Sequence, residues 1–230
     1  TLSGGALKTT TGTGAISGAI TLGSASTITA DGTLTLSGAI GGSYNLTKEG
    51  SGTLNLTGAN NYVGSTTINA GTVSIGSLAT LGASTNNLTL SGTAILDLQK
   101  SLTVGNLVMA SGNTITNSTG TSTLTIGGTS SLAGTITTSG NQTYTGAVSL
   151  TTDVTLTSTS NGTVLFSSTI DNASATPRAL TISTGSGNVT ITGAVGSGAN
   201  GALGAITINS TGATAFSSSV ARSEERRVGK

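Results

Sequence analysis

The sequence predicts an all-β chain wound into a β-solenoid of roughly ten coils, on three observations. Apolar residues alternate with Thr and Ser in short runs, the composition starves both helices and a bulky core, and one strand phrase returns about every twenty residues. Alternation with period two marks a strand with one buried face. The 230 residues include 48 Thr, 33 Ser and 36 Gly, with one Pro and no Trp, Cys or His. Only 7% are charged and 2% aromatic, yet 34% are hydrophobic. Disordered chains are usually rich in charge and Pro, which this one is not. β-Branched Thr suits a pleated surface, and so much glycine disfavours helix.

The repeat is anchored on glycine followed by an alternating strand. Gly12 opens GTGAI, Gly32 GTLTL, Gly52 GTLNL, Gly71 GTVSI and Gly92 GTAIL. Gly112 opens GNTIT, slipped by one, and Gly134 opens GTITT; then Gly162 opens GTVLF, Gly187 GNVTI and Gly212 GATAF. Spacing is near 20 residues as far as Gly134 and near 25 beyond it. The second and fourth residues after each glycine are read as inward: Leu34/Leu36, Leu54/Leu56, Val73/Ile75, Val164/Phe166 and Val189/Ile191. Further short strands lie between anchors, such as STTIN (65–69) and NLTL (87–90), bounded by Gly, Asn and Ala turns. Two or three strands in twenty residues make one coil. Ten coils at the ~4.8 Å strand spacing form a rod roughly 50 Å long.

Sandwiches and barrels also use short, regularly spaced strands. They do not require each strand to keep the same inward positions, whereas parallel in-register stacking does. Fixing one coil costs more backbone entropy than its own few aliphatics return, so a coil folds only against neighbours. Cut ends should fray unless capped.

Residues 44–77, YNLTKEGSGTLNLTGANNYVGSTTINAGTVSIGS, resemble the autotransporter-associated β-strand repeat. The shared pattern is Leu-Thr-Lys-x-Gly-x-Gly-Thr-Leu-x-Leu, then Gly-Ala-Asn-x-Tyr-x-Gly, then Thr-x-Asn-Ala-Gly-Thr-Val. The second half resembles repeats of filamentous-haemagglutinin-like surface proteins, at Asn141–Ser158, Gly162–Asn172 and Ala179–Gly196. The resemblance implies a right-handed parallel β-helix in an exported bacterial adhesin or autotransporter passenger. A signal peptide, a haemagglutinin-type secretion domain and a membrane barrel are not recognisable.

Residues 1–221 are read as a single solenoid. The N-terminus, TLSGGALK, starts in mid-pattern, so the chain is read as a fragment lacking flanking repeats and a translocator. The last nine residues, RSEERRVGK, carry six of the fifteen charges and break the preceding composition; without them the net charge is −1, from four basic and five acidic residues. They resemble the translation of a sequencing-adapter read-through and are read as a non-native tail, the alternative being a solvated charged terminus. Neither suggests a nucleic-acid partner. No run reaches the ~18 apolar residues of a membrane helix.

Without His or Cys, Ser-His-Asp and Cys-His systems and histidine or thiolate zinc sites are excluded. Related solenoids include polysaccharide-cleaving enzymes, and Asp31/Glu49 and Asp153/Asp171 are each 18 residues apart. Relative to the glycine anchors, however, Asp31, Glu49, Asp97, Asp153 and Asp171 scatter around the coil and are read as isolated, solvated carboxylates. GSGANG (196–201) matches Gly-x-Gly-x-x-Gly, but with 36 glycines in 230 residues one such match is expected by chance, and it is read as a loop. No Asp recurs as calcium-binding nonapeptides require.

Thr13, Thr33, Thr53, Thr72, Thr93, Thr135 and Thr163 share the first outward position, with Asn113 and Asn188. Two flat Thr rows can bind ice, but the neighbouring row reads Ala15, Thr35, Asn55, Ser74, Ile95, Ile115 and Thr137, and the coils are uneven. A soluble, strand-compatible surface is the plainer reading. Tyr62 and Tyr144 are read as amphipathic rings covering turns rather than as exposed sugar platforms. Asn-x-Ser/Thr triplets, beginning at Asn45, are read as compositional.

The expectation is therefore a non-enzymatic structural or adhesive segment of a surface-exposed or secreted bacterial adhesin. No catalytic, cofactor-binding or metal-binding residue is assigned, no cofactor is expected, and the ligand-binding residues are unassigned. The expected partners are glycans or proteins of a host or neighbouring cell surface. The alternatives are a β-helical polysaccharide-cleaving enzyme and an ice-binding solenoid.

Overall fold

In each coil the chain runs along three faces in turn. The computed structural model describes residues 1–76 and 78–222, so the reading of the charged tail falls, apart from Arg222, outside the described residues. The first face begins with Thr13–Ile16, Thr33–Leu36 and Thr53–Leu56. The second begins with Ile20–Leu22 and Ile40–Gly42, the third with Ala6–Thr9, Ser26–Ala30 and Leu46–Glu49. Four longer strands serve the third face and then bend onto the first: Thr66–Ile75, Leu88–Leu98, Ser130–Thr138 and Val148–Ser158. Among the described residues there is no helix, and every strand pair is parallel.

Register on the first face gives the coil number. Gly14 pairs Leu34, and the line continues through Leu54, Val73, Leu96, Ile115, Ile136, Leu156, Ile182 and Ile208. Ten positions make ten coils. From Leu34 to Ile182 every member is buried, so each aliphatic is covered above and below by the corresponding one of its neighbours. The expected inward set, Leu34 to Ile191, lies in this core, as does Ile68. At the two ends burial thins: Ile16 and Ile208 are only partly covered, and Phe216 is 40% exposed.

The glycine anchors divide between two corners. Gly12 to Gly134 introduce first-face strands, but the strands after Gly162, Gly187 and Gly212 lie on the second face. Val164–Phe166 pairs Gln142–Tyr144 on one side and Val189–Ile191 on the other, followed by Thr214–Phe216. The first face is continued instead by strands containing Thr155, Thr181 and Thr207. The apparent step from Gly134 to Gly162 is thus a jump between faces. Both corners select glycine for the same reason. A Cβ on Gly52 would run into the Gly32 carbonyl oxygen, and one on Gly187 into the Gly162 carbonyl oxygen, because stacked corners bring backbones together. Gly71 adds a second requirement, a φ of 67° in the left-handed region, where the strand rounds its corner.

Candidate functional surface

The side chains singled out for chemistry are built into the coils. Asp31 pairs with Lys8 at 3.9 Å, and Glu49 accepts from Asn69 Nδ2 at 2.6 Å one coil on. Asp153 Oδ1 accepts from the Ala179 amide at 2.9 Å, and Asp171 Oδ1 from the Gly198 amide at 2.7 Å. Register sets Asp171 beside Ser149, four residues before Asp153. Among the described residues no three His, Cys, Asp or Glu side chains come together as a metal cluster.

Asp97 is the most enclosed of these carboxylates. It accepts from the Ser118 amide (2.8 Å) and hydroxyl (2.7 Å), from Gln99 Nε2 (3.0 Å) and from Ser74 Oγ (3.3 Å). Burial alone would raise its pKa. The hydrogen bonds, led by those from Ser118, outweigh burial and hold the carboxyl below its ordinary value.

Among the described residues Lys48 is the one cation of the core: its side chain is only 1% exposed and aligned with Ile28 and Ile68. Nζ donates to the carbonyls of Glu49 (2.8 Å), Gly50 (2.7 Å) and Ala70 (3.1 Å), which gather where the chain rounds the corner. Burial lowers the amine's pKa, against the pull of Asp31 and Glu49. The signal was available: Leu46 is inward, so alternation makes Lys48 inward too.

Neither tyrosine covers a turn from outside. Tyr62 and Tyr144 are both fully buried. Tyr62 shares a 2.5 Å hydrogen bond with Thr66 Oγ1, and Tyr144 OH donates to Gln142 Oε1 at 3.0 Å. Gln142 Nε2 in turn donates to the Thr157 carbonyl at 2.9 Å. Tyr144 stands in the same inward row as Ile126 and Ile191, and burial raises both phenol pKa values.

The loop Gly196–Gly201 is pinned to its own chain: Gly198 N donates to Asp171, Asn172 Nδ2 to the Gly201 carbonyl (3.2 Å) and Asn200 Nδ2 to the Asn172 carbonyl (2.9 Å). Corner asparagines act similarly. Oδ1 of Asn45, Asn87, Asn106, Asn141 and Asn188 each accepts a backbone amide of the next coil, at 2.7–3.0 Å. That role accounts for several of the Asn-x-Thr triplets.

The outward threonine rows differ from those read in the sequence. The first row runs Thr13, Thr33, Thr53, Thr72, Ile95, Thr114, Thr135, Thr155, Thr181 and Thr207. The second includes Ala15, Thr35, Asn55, Ser74, Asp97 and Thr116, then Thr137, Thr157, Ser183 and Asn209. Ile115 belongs to the core, and Asn113 is buried, donating to the Leu90 carbonyl and accepting from the Ala94 amide. Three successive coils therefore present Thr-x-Thr outward: Thr114/Thr116, Thr135/Thr137 and Thr155/Thr157.

Architecture and surface define a β-solenoid whose polar side chains chiefly tie coil to coil. Residues 46–75 match the family model described as Passenger-associated-transport-repeat. The chain thus carries the autotransporter-passenger repeat that residues 44–77 resemble, and the match spans Lys48, Gly52, Tyr62 and Gly71. None of the curated proteins and none of the solved structures compared matches the chain.

Proposed function

We propose that this chain is a non-enzymatic rod segment of a bacterial autotransporter passenger, exposed at the cell surface or secreted, which spaces and presents adhesive contacts. The observation that carries this reading is the passenger repeat at residues 46–75, set within ten stacked parallel coils. The adhesive partners are glycans or proteins of a host or neighbouring cell. The half-buried outward rows of the first face, chiefly Thr, supply hydroxyls for such contacts, and the low charge leaves nucleic acid without a binding footprint. The test places the chain between a signal peptide and an autotransporter barrel in a Gram-negative host. Surface display, resistance to added protease and adherence to cultured cells or a glycan array are the expected results. Display without adherence would remove the adhesive part of the reading, and failure of display would remove the passenger part.

A second reading rests on the corrected register of the first face. Coils six to eight present paired threonines at roughly 4.8 Å along the rod and about 6.6 Å across it, a repeat of hydroxyl-bearing side chains of the kind that can match ice. Thermal hysteresis of the purified chain, abolished by Thr135→Lys, supports ice binding; freezing indistinguishable from a buffer control overturns it.

A further inference from the structure

We draw no further inference here: the strongest candidate, the shallow dent on the third face lined by Val108, Ser131, Ser149 and Asp171, carries nothing because the unpartnered Ser130 Oγ beside it faces the core and nothing in the structure shows what covers it.

Discussion

Tyr144 stacks on Phe166 across one coil step, with ring centroids 4.8 Å apart and planes 12° from parallel. The separation is that of adjacent strands, so parallel register itself brings the rings face to face. Phe166→Ala should destabilise the rod by about 3–5 kcal/mol, and Phe166→Leu by much less, because a cavity replaces a ring only in the first. Urea denaturation compares the two, and hydrogen exchange should place the loss in the coils around Tyr144. Equal losses from both substitutions would show that the stacked ring, rather than the volume it fills, carries the contribution.

Lys48 gives a pH dependence of definite sign. Its folded-state pKa lies below the ordinary 10.5, so between those two values the unfolded chain binds more protons than the folded one. This residue's contribution to stability therefore rises with pH across that window. Lys48→Met should flatten the rise relative to the parent. It should also lower stability near neutral pH by about 1–3 kcal/mol, because three carbonyls lose their donor. Denaturant midpoints measured from pH 7 to pH 10 check both.

The tyrosines act in the opposite sense. With Tyr62 and Tyr144 raised above the ordinary 10.0, the unfolded phenols ionise first as pH climbs through that value. Stability should fall above pH 10, and the double variant Tyr62→Phe/Tyr144→Phe should lose that fall. Absorbance at the phenolate band would show the two buried rings ionising only on unfolding. Titration of Tyr62 and Tyr144 near the ordinary value in the folded chain would contradict their burial.

Asp97 governs the acid side. Its carboxyl is held below the ordinary 3.8, so its contribution is present above that value and is lost as pH falls through the folded-state pKa. Ser118→Ala should move the Asp97 titration upward, read by carboxyl-carbon NMR, and flatten this residue's share of the acid-side fall in stability. An unchanged titration would show that the Ser118 hydroxyl contributes nothing.

Two glycines should part company. Gly18 has open space where a Cβ would stand, and Gly18→Ala should be neutral or stabilise by about 0.4–1 kcal/mol. Gly52→Ala forces a methyl group against the Gly32 carbonyl and should destabilise well beyond 1 kcal/mol, which thermal melts of the two variants will separate.

Much of the fold was legible because a solenoid repeats its local rule. Leu54 and Leu56 announce their inward direction by alternation alone, and neighbours in the stack obey the same alternation. Lys48 obeys the same rule, although its charge argues for solvent. Asn113 was not legible: its side chain stands in for strand partners by bonding Ala94 and Leu90, shifting Thr114 and Ile115 out of the expected phase. Nor could the glycines distinguish two corners that both bring backbones close.

By itself the sequence determined the β class, the coil repeat, the inward aliphatics and the exclusion of His- and Cys-based chemistry, because period and composition are local properties. Only the tertiary structure decided which strands share a face, that Tyr62 and Tyr144 lie within the core, and that threonines pair across coils six to eight. Each of these depends on register between residues about 20–26 positions apart, where insertions at corners change the count without disturbing the hydrogen bonds that set the stack.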